Sequence, residues 1–178
     1  MAVLPIRIYP DPVLRQQCRP VEDFDPALRA LAEDMVETMH AAPGVGLAAP
    51  QVGVAIRLAV VDVSVGKEPD SLHVLINPRI VDRAGEQVDV EACLSIPELS
   101  DKVKRPRRVR VEALDLDGKP YELEAEALFA RVLCHELDHL DGILFFDHLR
   151  GLRKERARRH LKRLRRAWEE RQPMPAGV

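Results

Sequence analysis

The sequence lacks the features that mark membrane-spanning, secreted and disulfide-rich proteins. No apolar run approaches the roughly 18 residues that a transmembrane helix needs. The opening residues, MAVLPIRIYPDP, resemble neither a signal peptide nor an organellar transit peptide. Only 3 cysteines occur in 178 residues, an odd number with no CxxC pair, so a disulfide framework is not expected. These absences predict a cytoplasmic protein with no membrane partner.

Charge is unevenly distributed along an otherwise ordinary composition. Hydrophobic residues make up 46% and charged residues 31%, which is enough for one domain with a real core. Residues 1–149 hold 16 Lys+Arg and 26 Asp+Glu (net −10), whereas residues 150–178 hold 11 and 3 (net +8). We expect an acidic body (1–149), a basic helix of the same domain (150–171) and a disordered tail (172–178). Such asymmetry suggests a polyanionic partner.

Local patterns predict an α+β fold. Asp25 before Pro26 is a typical start for a helix, and apolar residues then recur at helical spacing. The other expected elements are strands at residues 55–63, two short strands in 72–82 broken at Asn77-Pro78, a hairpin formed by 103–116 and 121–123, and helices at about 124–140 and 150–170. Strands that cluster between helices predict antiparallel or mixed strands around a central metal-binding helix, with an N-terminal and a basic C-terminal helix.

The strongest chemical signal is the sequence HELDH at residues 135–139. Residues four apart share one face of a helix, so His135 and His139 could reach the same metal ion. Glu136 stands beside that face, where it could act on water. Apolar neighbours on both sides predict a buried helix, and buried polar groups need partners. The simpler alternative is a pair of hydrogen-bonded core histidines.

The third ligand decides between two kinds of metal site. A metzincin pattern fails because Phe145 occupies its last position, and His148 lies three residues further on. A glutamate ligand downstream would have to be Glu155, Glu169 or Glu170. Upstream, Cys93 would complete a Cys–His–His set that leaves a fourth position open to water, as in catalytic sites. A zinc metallopeptidase, with a downstream glutamate as third ligand, remains as the alternative.

Three segments together resemble the signature motifs of the peptide deformylase family, in the family's order: GVGLAAPQVG, EACLSIPE and HELDHLDG. The resemblance covers the chain to about residue 150. It implies an enzyme that removes the formyl group from the N-terminal formyl-methionine of nascent chains and releases formate. It also implies a divalent metal held by Cys93, His135 and His139, normally Fe²⁺, with Ni²⁺, Co²⁺ or Zn²⁺ as substitutes.

The same resemblance gives roles to residues around the metal. Glu136 takes a proton from water and delivers it to the leaving amine. The Gln51 side-chain amide and the Leu94 backbone N–H stabilise the negative charge that develops on the formyl oxygen. The implied substrate-binding residues, along a methionine pocket and a peptide-binding edge, are Gly44, Val45 and Gly46.

One position departs from the family pattern, because Ala92 stands where the family most often has glycine. If that position needs a positive φ, alanine would strain the loop that presents Cys93, and a shifted pocket is expected rather than a lost site. This departure supports a second alternative, a catalytically silent ribosome-binding homologue. Cys134 is expected to pack in the core, and Cys18 receives no role.

The basic segment 150–171 predicts a helix that docks along one side. Its apolar stripe is Ala157, Leu161, Leu164 and Trp168. Arginines cover the remaining surface, and their mutual repulsion favours a polyanion as partner. In the family that the chain resembles, the C-terminal helix contacts the ribosome, which implies ribosomal RNA here. No DNA partner is expected.

Overall fold

The computed structural model describes residues 2–170, which form a mixed arrangement of helices and strands. The helices are α1 (Pro26–Ala41), α2 (Ala127–Leu140) and α3 (Gly151–Glu169). The strands are β1 (Gly46–Ala48), β2 (Leu58–Asp62), β3 (Leu72–Ala84), β4 (Gln87–Cys93), β5 (Ile96–Arg105), β6 (Arg108–Leu114) and β7 (Pro120–Glu126). The predicted α+β class is confirmed. The expected tail, 172–178, lies outside the described residues.

Two antiparallel sheets build the body of the molecule. The larger sheet has the strand order β1-β2-β3-β6-β7, and β4 pairs only with β5 in the smaller one. Consequently β1 and β4 both lie at sheet edges, with backbone groups that no neighbouring strand of the described chain takes up. This arrangement matters because both strands also reach the functional site.

The helices pack their apolar faces against these sheets. The Asp25 carboxylate caps α1 by accepting a hydrogen bond from the Leu28 backbone N–H at 2.8 Å, as the sequence predicts. Buried Met35 and Met39 of α1 join the core beneath β1 and β2. The central helix α2 packs Val132 and Leu133, together with Cys134, against the inner face of the larger sheet. No helix within residues 2–170 has a stretch long and apolar enough to cross a bilayer.

One predicted strand break is wrong, because β3 runs unbroken from Leu72 to Ala84. The chain absorbs Pro78 in a register shift between Ile76 and Arg79, with Asn77 at φ +50°. The Asn77 amide exchanges two hydrogen bonds of 2.8 Å with the Val21 backbone. A bulge therefore replaces the turn that Asn-Pro usually indicates.

Two further boundaries differ from expectation. Residues 103–105 belong to β5 instead of the predicted hairpin, whose strands are β6 and β7. Helix α2 begins at Ala127, because Glu124 and Glu126 pair with Arg110 and Arg108 as the end of β7. The β4–β5 hairpin was not predicted. The helix that carries HELDH is not buried throughout, as its apolar residues predicted, because Leu128 near its start is 54% exposed.

The basic helix α3 docks along one face. Ala157 and Leu161 are buried in a core cluster that also contains Cys93, and Leu164 packs against it. The His160 ring nitrogen Nε2 lies 2.8 Å from the Pro97 carbonyl oxygen of β5. Three residues of the predicted docking stripe therefore pack against the hairpin that carries Cys93, whereas Trp168 is half-buried and does not belong to that cluster.

Candidate metal centre

The three residues predicted as ligands meet at one point. Helix α2 places His135 and His139 one turn apart, and Cys93 ends β4 beside them. One ligand atom from each lies within 4.8 Å of the others, and Cys93 Sγ is 3.2 Å from His139 Nε2. This group could hold a metal ion.

The donor chemistry of these residues fits a transition metal. A thiol and two imidazoles are soft to intermediate donors, which suit zinc and iron-type ions better than magnesium or calcium. Burial lowers the pKa of His139, which favours the neutral imidazole that ligation requires. His135 Nδ1 contacts Glu91 Oε2 at 3.1 Å, which leaves the other ring nitrogen, Nε2, to bind a metal ion.

Glu91 anchors a buried ionic network behind the ligands. Arg105 binds its carboxylate through two contacts of 2.9 and 3.0 Å, and Arg131 Nη1 adds a third at 2.9 Å. Burial opposes the charge on Glu91, but hydrogen bonds from His135 and Arg105 lower its pKa to about 2. Sequence reasoning missed Glu91. Its position two residues before Cys93 in one strand, and hence on the same face, was an available signal.

The network continues from Arg105 to Asp138 of α2 and to His148. Arg105 Nη1 lies 2.6 Å from Asp138 Oδ2, which His148 Nε2 contacts at 2.7 Å. His148 is therefore engaged with Asp138. The downstream glutamates considered as protease ligands, Glu155, Glu169 and Glu170, are all exposed on or just after α3. The described chain thus places Cys93 at the histidine pair and brings none of the protease alternatives there.

Glu136 lies beside the ligand group and against β1. It is only 3% exposed, and its Oε2 has no hydrogen-bond partner within residues 2–170. Burial raises its pKa to about 7. A Cβ on Gly46 would lie 2.4 Å from Glu136 Oε1, so this glycine leaves the space that the carboxylate occupies.

Gln51 approaches the same point from the other side. Its Oε1 accepts the Ala48 backbone N–H at 2.9 Å, and its Nε2 points to Ser95 Oγ at 3.2 Å and to Cys93 Sγ at 3.6 Å. Gln51 and Cys93 belong to different motifs and lie 42 residues apart in the sequence. The fold thus brings residues of separate motifs into direct contact.

A cavity of about 380 Å³ opens at this centre. Its walls include Pro43, Gly44, Val45, Gly46, Gln51, Val90, Glu91, Ala92, Cys93, Leu94, Leu128, Arg131, Val132, His135 and Glu136. Every residue predicted for catalysis or substrate binding lies in this wall, and two of the three predicted ligands do as well. Edge strands β1 and β4 both contribute to this wall.

The remaining sequence expectations concern Ala92 and the other cysteines. Ala92 of β4 pairs with Ser100 of β5 and does not adopt a positive φ. The backbone strain that alanine would cause at a positive φ is therefore absent. Cys18 and Cys134 are buried free thiols, and burial raises the pKa of each to about 11. Both therefore behave as packing residues, as expected for Cys134.

Comparison with known proteins agrees with the three-motif resemblance. Residues 3–155 match the family model described as polypeptide deformylase. The chain is 46% identical to a peptide deformylase of Acidobacterium capsulatum (95% of this chain, 99% of the relative) and 50% identical to one of Alkalilimnicola ehrlichii (92% of each). The Thermus thermophilus peptide deformylase crystal structure superposes with a TM-score of 0.85 at 47% identity, covering 93% of this chain and 99% of that one. Together with the motifs in its cavity wall, these likenesses show that the chain belongs to the peptide deformylase family.

Proposed function

We propose that this chain is a metal-dependent hydrolase that removes the formyl group from N-terminal formyl-methionine of nascent polypeptides and releases formate. One observation carries the proposal. Two members of a Cys–His–His ligand group, a buried glutamate and a side-chain amide line one cavity that two edge strands border. Nothing within residues 2–170 favours a metallopeptidase or a silent homologue.

Cys93, His135 and His139 would hold one divalent ion. When bound, such an ion acidifies water and polarises a carbonyl oxygen. We take Fe²⁺ as the native ion because the resemblance to the deformylase family implies it, and a thiolate with two imidazoles would also accommodate Ni²⁺, Co²⁺ or Zn²⁺ as substitutes. Glu91 would hold the His135 ring in the orientation that ligation needs, through its contact with Nδ1.

The residues of the chain would perform the proton transfers and stabilise the charge. Glu136 has an Oε2 without a partner in the described chain, so it is free to accept a proton from water and return it to the departing amine nitrogen. The Gln51 Nε2–H and the Leu94 backbone N–H would donate to the formyl oxygen as it becomes negative. Both residues line the cavity beside Cys93.

The substrate would bind as an added strand. Gly44, Val45 and Gly46 border the cavity along the β1 side, and Val90 borders it along β4. An extended peptide placed between two edge strands gains backbone hydrogen bonds irrespective of its sequence. Apolar Leu128 and other cavity residues would surround the methionine side chain.

A formate-release assay on a formyl-Met peptide tests the proposal. The parent should release formate and leave the unformylated peptide intact. Glu136→Gln should lower kcat by at least about 100-fold, because it removes the proton acceptor. Glu112→Gln, on the exposed face of β6, is the matched control and should retain parental activity. Peptide-bond cleavage without formate release would refute the proposal.

Metal analysis tests the ligand assignment separately. Protein purified without oxygen should contain about one divalent ion per chain, with iron dominant, as measured by elemental analysis. Cys93→Ala should lose that metal. The control is Cys134→Ala, which removes a buried thiol one residue before the ligand His135. This variant should retain the bound metal. Full metal content in Cys93→Ala would show that Cys93 is not a ligand.

We also propose that the chain works in the cytoplasm, where α3 holds it at the ribosome by binding ribosomal RNA. Arg156, Arg159 and Arg163 are exposed along one groove of α3. Lys and Arg side chains in such a row bind the phosphates of nucleic acid in a salt-dependent way. This association would place the cavity near emerging formylated chains.

A further inference from the structure

We infer that Ser95 is a positioning residue for the reaction, acting through Gln51. Ser95 is completely buried, and its hydroxyl oxygen accepts a hydrogen bond from Gln51 Nε2 at 3.2 Å. The inference rests on the proposed function, because it concerns the amide that would stabilise the developing charge on the formyl oxygen.

Three hydrogen bonds fix the Gln51 amide group. Oε1 accepts the Ala48 backbone N–H, which establishes which end of the amide carries the nitrogen. An amide nitrogen has only two hydrogens. One is directed to Ser95 Oγ, and geometry then leaves the other facing Cys93 Sγ, at 3.6 Å, and the adjoining cavity, where the formyl oxygen of a bound substrate would replace the sulfur as its acceptor. Ser95 therefore determines where the second N–H points.

The backbones of both residues are held independently of this side-chain contact. The extended N-terminal segment donates the Arg7 backbone N–H to the Gln51 carbonyl at 2.7 Å and the Tyr9 backbone N–H to the Ser95 carbonyl at 2.8 Å. Loss of the Ser95 hydroxyl should thus leave both backbones in place. Its effect should fall on the orientation of the Gln51 amide.

Kinetics of Ser95→Ala test this role directly. We expect kcat for a formyl-Met peptide to fall about 5- to 30-fold with little change in KM, because one hydrogen bond that orients the amide is lost. Ser95→Thr retains the acceptor oxygen and should recover most of the rate. Ser100→Ala on the same strand is the control and should match the parent. If Ser95→Ala does not fold, Ser95→Cys is measured in its place, because a thiol fills the site but is only a weak hydrogen-bond acceptor.

A double-mutant cycle separates positioning from a merely structural role. In a Gln51→Ala background, Ser95→Ala should cause no further loss of kcat, because the amide it positions is already gone. An equal loss in both backgrounds would overturn the inference, as would an unchanged kcat in the single variant. Thermal unfolding of each variant confirms that the compared proteins are folded.

A spectroscopic measurement tests the inference without relying on turnover. In Co²⁺-loaded protein, the thiolate-to-cobalt absorption band should shift in Ser95→Ala and stay in place in Ser100→Ala, because only the former loses the hydrogen bond that orients the other Gln51 N–H toward Cys93 Sγ. An unshifted band would overturn the inference. If the parent releases no formate, the proposed function fails, yet the band still decides whether Ser95 orients Gln51.

Discussion

At Gly46, the absence of a side chain is what leaves room for Glu136. A Cβ there would lie 2.4 Å from Glu136 Oε1 and 2.8 Å from its Cδ, so Gly46→Ala must displace the carboxylate. We expect formate release to fall by at least about 100-fold, because proton transfer depends on the position of the base.

Gly44→Ala is the matched control for that substitution. Its Cβ would meet the end of the flexible Leu94 side chain at 3.1 Å, which can move aside. Its loss of activity should be at least tenfold smaller. Equal losses in the two variants would show that loop rigidity, not the space for Glu136, explains the Gly46 effect.

Glu91 is the residue that couples the metal ligands to the buried arginines. Glu91→Gln would leave Arg105 and Arg131 short of a counter-charge and weaken the hold on His135. We expect metal affinity to fall about 10- to 100-fold and the free energy of unfolding to fall by about 3 kcal/mol. Chelator competition and urea denaturation measure the two effects. Glu112→Gln, in an exposed ion pair with Arg79, should change neither.

Residue-level prediction succeeded where chemistry depends on local spacing. His135 and His139 are one helical turn apart, so their shared face follows from the sequence. The partners of Glu91 do not follow, because Arg105 and Arg131 lie 14 and 40 residues away from it and meet it only after β4 pairs with β5. Arginines at such separations look like ordinary surface charges in the sequence.

The turn after β2 depends on one buried carboxylate. Asp62 accepts hydrogen bonds from the Ser64 and Gly66 backbone N–H groups and contacts His40 at the end of α1. Burial opposes its charge, but hydrogen bonds from Ser64, His40 and Gly66 lower its pKa from 3.8 to about 2. Because the folded pKa is the lower one, this stabilisation is complete above about pH 4 and is lost as pH falls through 2.

Asp62→Asn should therefore lower the free energy of unfolding by about 2 kcal/mol at pH 7, and by much less near pH 2. Urea denaturation at the two pH values measures the difference. Asp117→Asn, whose carboxylate is exposed in an ion pair with Arg29, is the control and should have little effect at either pH. A pH-independent loss for Asp62→Asn would exclude ionisation as its source.

At the scale of elements, the start of α1 was predictable from the sequence, whereas the start of α2 and several strand limits were not. The Asp25 cap follows a local rule, and α2 ends at Leu140 as expected, just before Gly142 at φ +70°. The β4–β5 hairpin escaped detection because Val88 and Val90 are exposed on one face, so the strand shows no apolar pattern directed at the main core. Strand β3 continues through Pro78 because it pairs with β6 on both sides of that residue. The local sequence of β3 alone does not specify this pairing.

At the scale of the molecule, the near-neutral charge conceals two separate surfaces. The cavity lies in the acidic body, and the positive charge is concentrated on α3. The buried face of α3 contacts the β4–β5 hairpin, which carries Cys93. A polyanion bound to the exposed face of α3 need not enter the cavity. Ribosome binding and catalysis should therefore be separable by substitution.

The triple substitution Arg156→Gln, Arg159→Gln and Arg163→Gln tests this separation. These exposed side chains line one groove of α3, so the fold and formate release from a short formyl peptide should remain at parental levels. Sedimentation with ribosomes should weaken, and the slope of log affinity against log salt should fall by about 2 to 3, because up to three phosphate contacts are lost.

The control removes the same charge from the acidic body. Arg79 and Lys104 are exposed and Arg110 is half-buried, and each forms an ion pair with a glutamate. Replacing these three with glutamine lowers the net charge equally but leaves α3 intact, so ribosome binding should stay near the parental value. If both triple variants weaken binding to the same degree, the association depends on net charge alone, and α3 is not its docking surface. If only the α3 variant does so while both release formate normally, the basic helix directs the enzyme to the ribosome and the cavity performs the chemistry.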